Sequence, residues 1–120
     1  MPMPTKILEN FLVRDSSSMK DAIVLIQKNE SRCVVVIGNH GKAVGVFSEG
    51  DVLRTILEGV EIHARLRNLI RPSFRYLHSR DLGAARKLFF GGITLVPILN
   101  QEFIVEDVLT LKDVFKEELP

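Results

Sequence analysis

Gly45-Val46-Phe47-Ser48-Glu49-Gly50-Asp51 reads as the end of a buried strand that turns directly into a helix. Val44, Val46 and Phe47 are apolar and β-favouring, and Ser48 is a good N-cap residue. Val52, Leu53, Ile56, Leu57 and Val60 then recur at helical spacing, which predicts a core-facing helix over residues 48–59. Ser48 and Asp51 therefore share a helix N-terminus, where unbonded backbone N–H groups and the macrodipole favour anions. Further on, Val108-Leu109-Thr110-Leu111-Lys112-Asp113 repeats the pattern, again with a hydroxyl residue three before an aspartate.

Working outward, Phe11-Leu12-Val13 predicts a short strand, and Ser16-Ser17-Ser18 a polar break able to cap a helix. Met19, Ala22, Ile23 and Ile26 fall on one helical face, with an end expected near Asn29. Cys33-Val34-Val35-Val36-Ile37 is wholly apolar, as in a strand covered on both faces. Gly38-Asn39-His40-Gly41 is a turn leading into a second strand over 43–47. The unit reads β-α-β-β-α. Thr110 less Ser48 is 62, as is Asp113 less Asp51, and the same offset pairs Ala22 with Ala84, Ile26 with Leu88, Val34 with Val96 and Val46 with Val108. From the first helix to the last no gap is needed. The second unit is then expected as a strand at 74–77, a helix at 81–90, strands at 95–99 and 103–109, and a helix from Thr110. Each unit would expose an apolar sheet face, so packing the two faces together buries both and leaves a cleft along the junction.

Bulk properties narrow the function. A chain of 120 residues, 46% hydrophobic and 26% charged, is of ordinary single-domain size and composition. Sixteen basic against fifteen acidic residues leave a charge of +1, which offers no global attraction to nucleic acid or an anionic membrane. A single cysteine excludes an internal disulfide framework and fits a reducing compartment. No apolar run approaches the ~20 residues of a membrane span, and Met1-Pro2-Met3-Pro4-Thr5-Lys6 lacks a secretion signal's apolar core. Cytoplasmic placement is the expectation.

The tandem unit with its Gly-apolar-apolar-Ser/Thr-x-x-Asp ending resembles the cystathionine β-synthase (CBS) domain pair. Residues 45–51 match that motif, and Leu95-Val96-Pro97-Ile98-Leu99-Asn100 resembles the family's apolar-Pro-Val-apolar-Asp strand, with Asn in last place. The resemblance spans about residues 7–117 and implies an α+β fold of two β-α-β-β-α repeats, 1–62 and 63–120, packed sheet to sheet with pseudo-two-fold symmetry. Ser48-Glu49-Gly50-Asp51-Val52-Leu53-Arg54-Thr55-Ile56-Leu57-Glu58-Gly59 is also similar to a segment of CBS pairs that precede sugar-nucleotide nucleotidyltransferases. By that likeness, Lys116-Glu117-Glu118-Leu119-Pro120 suits a linker to a catalytic domain, while a free-standing CBS protein is equally compatible.

The resemblance implies a regulatory module rather than an enzyme. It would require no cofactor, take AMP, ATP or S-adenosylmethionine as a regulatory ligand, and form homodimers. Asp51 and Asp113 would accept hydrogen bonds from ribose hydroxyls, a role suited to an acceptor-only carboxylate. Ser48 and Thr110 would bond the ribose or α-phosphate, Arg54 would reach a phosphate, and the strands around Val35 and Pro97 would sandwich the base. The second site departs from the motif: Asp107 stands where Gly is expected, beside Glu106 and near Glu102, so a weaker, vacant or less anion-tolerant site is expected there.

Plainer readings stand beside these. Ser/Thr-x-x-Asp before an apolar helix is close to a capping box, and a repeated helix start repeats its cap. The chain also reads as a dimerisation module with empty clefts. Arg65, Arg67, Arg71, Arg75 and Arg80, with no acidic residue from 63 to 80, read as a solvated basic junction or a patch for phosphates, an acidic partner or DNA. With only Phe74 and Tyr76 interleaved, nucleic acid is disfavoured. His40, His63 and His78 show no metal spacing, and Cys33 reads as an inert core residue.

Overall fold

The computed structural model describes residues 7–71 and 73–118, with side chains through 114. The stretch at 1–6 and the end of the expected linker at 119–120 lie outside the described residues. In the first repeat β1 (Leu12–Arg14) leads to α1 (Met19–Asn29), β2 (Cys33–Ile37), β3 (Ala43–Ser48) and α2 (Glu49–Leu57). In the second, α3 (Leu82–Phe90) is followed by β4 (Leu95–Leu99), β5 (Val105–Thr110) and α4 (Leu111–Glu118).

Local chemistry sets these boundaries. Ser18 caps α1 with a reciprocal capping box: its hydroxyl accepts from the Asp21 N–H, and the Asp21 carboxylate accepts from the Ser18 N–H. Ser48 and Asp51 do the same for α2. Asp81 accepts from the Ala84 N–H to start α3. β1 pairs in parallel with β2 through Leu12–Val35, Val13–Val36 and Arg14–Ile37, and β2 pairs antiparallel with β3. β4 and β5 pair antiparallel in the same register as β2 and β3, shifted by 62: Val34 faces Phe47 and Val96 faces Leu109. Even the ladder irregularity recurs, between Val36 and Ile37 and again between Ile98 and Leu99. The duplication read from the sequence is therefore a duplication of backbone geometry.

The molecule is layered helix, sheet, sheet, helix. Met19, Ala22, Ile26, Val34, Val36, Phe47 and Leu66 fill the space between the first sheet and its helices. Ala85, Val96, Ile98, Leu109 and Val114 do so in the second repeat. The opposite strand faces meet each other: Cys33, Val35 and Ala43 pack against Leu95, Leu99, Val105 and Val108. Period-two alternation explains why one strand serves two cores, since successive side chains leave opposite faces. The expected sheet-to-sheet α+β architecture is thus observed.

The strand expected at 74–77 is reduced to one parallel bridge, between Leu77 and Ile98. Leu77 donates to the Pro97 carbonyl at 3.0 Å and accepts from the Leu99 N–H at 2.8 Å, so Pro97 faces that edge. Having no N–H, Pro97 cannot continue the ladder toward residue 75. Instead, side chains hold the segment: Tyr76 lies 5.6 Å from Phe74, 5.4 Å from His78 and 5.1 Å from Phe103, ring centre to ring centre. The bridge also shows a slip. Val13 lies opposite Val36 and Leu77 opposite Ile98, so this edge is offset by 64 residues while its partner strand is offset by 62. The helix caps Ser18 and Asp81 are offset by 63, and the buried alanines Ala22 and Ala85 likewise. One residue is therefore absent before the second repeat's helix and one between its start and β4, and the gap-free pairing of Ala22 with Ala84 is corrected by one.

Two further expectations change. The apolar stripe of α2 does not face the core as a whole: Val52 and Thr55 are buried, but Leu53, Ile56 and Leu57 are exposed, Leu57 at 87%. The helix covers its sheet along one narrow line, so the rest of the stripe is turned to solvent. The basic junction is no free linker either. Its backbone straps the start of α1, with Ala64 and Ile62 accepting from the Met19 and Lys20 N–H groups and Leu66 and Arg67 donating to Ser17 and Asp15. Leu66 is wholly buried, a side-chain burial worth about 1.5–3 kcal/mol. Arg65 donates to the Ser16 carbonyl at 2.6 Å. Among the described residues no helix is long and apolar enough to cross a membrane.

Candidate functional site

Where β3 enters α2, the chain leaves an open cavity of about 410 Å³ between the repeats. The first repeat lines it with Arg32, Cys33, Val46, Ser48, Glu49, Gly50 and Asp51; the second contributes Gly92, Ile93, Thr94 and Leu95, and the junction Arg75. Strand pairing explains the cluster. Cys33 lies directly opposite Ser48 in the first sheet, so the start of β2 and the start of α2 share one end of the sheet. The sheet-to-sheet contact brings the turn between α3 and β4 to the same end.

The carboxylate at the cavity is held on every side. Asp51 Oδ2 accepts from the Ser48 N–H at 2.9 Å and the Ser48 hydroxyl at 3.0 Å, and Oδ1 accepts from Arg54 Nη2 at 3.0 Å. Partial burial pushes the Asp51 carboxyl up, but the Ser48 backbone N–H, the Arg54 guanidinium and the Ser48 hydroxyl outweigh it. The net displacement is below the usual carboxylate range, so Asp51 is an ionised acceptor at neutral pH. Glu49 donates its N–H to the Arg32 carbonyl at 2.8 Å and Asp51 its N–H to Ser48 Oγ at 3.1 Å. Arg32 and Arg75 add two exposed cations to the same walls. An ionised acceptor, a helix N-terminus and two guanidiniums in one cleft can hold a ligand that carries both hydroxyls and negative charge.

The sequence-based candidates divide. Ser48 and Asp51 line the cavity together. Arg54 is not among the lining residues; it bridges Asp51 and Glu58, the latter at 3.2 Å, and acts on the site through Asp51. Val35 and Pro97 are fully buried in the sheet-to-sheet core, and the apolar walls are formed instead by Val46, Ile93 and Leu95 beside Cys33. Central strand positions are sealed by the opposing sheet, while residues at the strand ends reach the opening. Cys33 lines the wall as a thiol: burial, then the nearby Asp51 charge, pushes its pKa up to about 12.

Thr110 and Asp113 repeat the cap geometry, with Asp113 Oδ2 accepting from the Thr110 N–H at 2.8 Å and its hydroxyl at 3.1 Å. Both are buried, whereas Ser48 and Asp51 are half-buried. Asp107 does not crowd a cleft. It pairs with Ile98 on the helix-facing side of the sheet and lies 3.7 Å from Arg80, as Gly45 pairs with Val36 and faces Ile70 and Arg71. The motif glycine is therefore explained by the junction, where an added Cβ would stand 3.2 Å from the Arg71 carbonyl. Arg32, Glu49, Gly50 and the turn at Gly92, Ile93 and Thr94 were not singled out as site residues from sequence. The signal existed in the offset itself, because Arg32 and Thr94 are related by 62 and flank equivalent strand starts.

Residues 6–58 match the sequence model of the CBS domain. An uncharacterized protein of Helicobacter pylori is 30% identical over 103 residues, which is 83% of this chain. The chain spans about a third (31%) of that relative's length. Among solved structures, the CBS domains of a transcriptional regulator from Streptococcus pneumoniae superpose with a TM-score of 0.74 at 20% identity, over 92% of each chain. A CBS domain protein from Pyrobaculum aerophilum, complexed with AMP, superposes with a TM-score of 0.69 at 20% identity, over 85% of this chain and 80% of that one. The chain thus has the fold of CBS-domain proteins, with the sequence likeness to the CBS-domain model lying in residues 6–58.

Proposed function

We propose that the chain is a regulatory module of two CBS repeats, residues 1–62 and 63–120, that senses an adenosine nucleotide in the cleft between them. The observation that carries this reading is the open cavity in which Ser48 and Asp51 of one repeat face the Gly92–Ile93–Thr94 turn of the other. Its volume of about 410 Å³ suits a nucleotide-sized ligand. Asp51 accepts from the ribose hydroxyls, Ser48 and the first turn of α2 hold the α-phosphate, and Val46, Ile93 and Leu95 cover the base. Arg32 and Arg75 favour a phosphorylated ligand, AMP or ATP, over the cationic S-adenosylmethionine. The AMP bound by the Pyrobaculum relative is in keeping with this.

In this reading the module is not itself catalytic. A carboxyl held ionised by three donors is suited to accept hydrogen bonds and not to deliver a proton. Binding draws the two repeats toward one relative placement, and a partner or attached domain in the cytoplasm responds to it. The likeness of residues 48–59 to CBS pairs of sugar-nucleotide nucleotidyltransferases supports nucleotidyl transfer to a sugar phosphate as the regulated activity.

A second reading, as a dimerisation module, has an observation of its own. Leu53, Ile56 and Leu57 form an exposed apolar stripe on α2 that a second copy would cover. The two readings are compatible, and the homodimer belongs to both.

Isothermal titration with AMP, ATP and S-adenosylmethionine tests the sensor reading. Binding of at least one adenosine phosphate is expected, weakened at least tenfold in Asp51→Ala and in Arg32→Ala/Arg75→Ala. Unchanged affinity in Asp51→Ala would sink it, and no binding by the wild-type chain would leave the dimerisation module.

A further inference from the structure

The 62-residue offset relates the lips of the cavity beside Asp51 to residues of a different kind in the other half of the molecule. Gly50 and Gly92 stand on opposite sides of the first cavity. Adding 62 to the first gives Lys112, and subtracting 62 from the second gives Glu30. Lys112 Nζ lies 3.1 Å from Glu30 Oε2, joining α4 of the second repeat to the end of α1 in the first. The two positions that are bare backbone at the first cavity are a bridging ion pair at the place equivalent to it.

Glu30 stands there against its local preference. It adopts φ +61°, and its counterpart Gly92 adopts φ +100°. A helix C-terminus in this left-handed region favours glycine, which has no Cβ to strain. At one end the chain carries the residue that the backbone prefers, and at the other a long acid that reaches its partner repeat. In the same repeat as Lys112, Thr110 and Asp113 are buried, whereas Ser48 and Asp51 are half-buried.

We propose that Glu30 and Lys112 bar the second cleft, so that the module takes one nucleotide per chain. The inference rests on the nucleotide-binding reading above and adds its stoichiometry and the residues that set it. An exposed ion pair holds only weakly, and the barrier is mainly the bulk of two long side chains between the lips. A ligand phosphate that drew Lys112 away would also meet the released Glu30 carboxylate.

The test is titration of AMP into the full chain and into Glu30→Gly/Lys112→Gly, which restores the glycines of the first cleft. One equivalent is expected for the wild type and two for the variant, with the first affinity unchanged. Lys112→Ala keeps a good helix former in the first turn of α4 and should also admit a second equivalent. Two equivalents on the wild type would overturn the inference and leave the sensor reading standing. One equivalent on wild type and both variants would overturn the pair as the barrier. No binding to the wild type would overturn the sensor reading, and this inference with it.

Discussion

Arg54 Nη2 donates to Asp51 Oδ1 at 3.0 Å, on the side of the carboxylate opposite the Ser48 N–H. Asp51 is therefore a helix cap, an ion-pair partner and a cavity wall at once. Capping and ligand binding, alternatives at the level of sequence, are geometrically compatible here. The Ser48 donors occupy one oxygen and Arg54 the other, but each carboxylate oxygen has a further lone pair.

The depressed carboxyl of Asp51 makes this cap pH-dependent. Its folded pKa lies below the unfolded value near 3.9. The folded state thus binds that proton more weakly than the unfolded chain. Its stabilisation is complete above the unfolded pKa and is lost as pH falls through the folded one. Asp51→Asn should be less stable than wild type by about 0.3–1 kcal/mol at pH 7, as for an acidic group in a helix's first turn, with the gap narrowing as pH falls below the unfolded value. Urea unfolding from pH 7 down into the acid range measures it; a gap that shows no dependence on pH below the unfolded value would assign the effect to shape and not charge.

Cys33 lines the cavity but should not react. With its pKa pushed up to about 12, roughly one thiol in ten thousand is ionised at pH 8. Iodoacetamide at pH 8 should leave the native protein unmodified for as long as it takes to alkylate the urea-unfolded chain fully. Native-state labelling at the unfolded rate would contradict the burial of this side chain.

Glu30 costs stability where it stands. Left-handed backbone is unfavourable for a non-glycine residue by about 1–2 kcal/mol, and the exposed pair with Lys112 returns about 0–1 kcal/mol. Glu30→Gly should therefore raise the thermal midpoint by a few degrees, as about 1 kcal/mol does in a domain of this size. A lower midpoint would mean that the ion pair outweighs the backbone strain.

The exposed stripe on α2 predicts a self-association that can be removed without unfolding. Leu53→Glu/Leu57→Glu changes two side chains that are 59% and 87% exposed, so the monomer fold should be retained. Sedimentation should show dimers for wild type and monomers for the variant, with matching circular dichroism. A wild type that sediments as a monomer at tens of micromolar would remove this surface as an interface.

Elements set by near-neighbour chemistry were legible in the residues themselves. Ser18 and Asp21, and Ser48 and Asp51, announce their helices because a capping box closes within three residues. The strands Cys33–Ile37 and Leu95–Leu99 follow from unbroken apolar runs, and the 62-residue offset carried the duplication and the packing of sheet on sheet. Non-local relations decided the rest. Pro97 ends a ladder 20 residues away, an effect visible only once its missing N–H is known to face residues 74–77. The apolar stripe of α2 is identical in sequence whether it is covered or bare, and only the narrow contact with its sheet leaves Leu53, Ile56 and Leu57 exposed. Val35 and Pro97, expected to sandwich a base, lie sealed, because the opposing sheet covers strand centres and opens at strand ends. Sequence alone determined the repeat, its caps and the pair Ser48 and Asp51. Tertiary structure alone brought Arg32, Arg75 and the Gly92 turn to them, and set Glu30 against Lys112 across 82 residues of chain, because which side chains share a cleft depends on how two sheets meet and not on their order along the backbone.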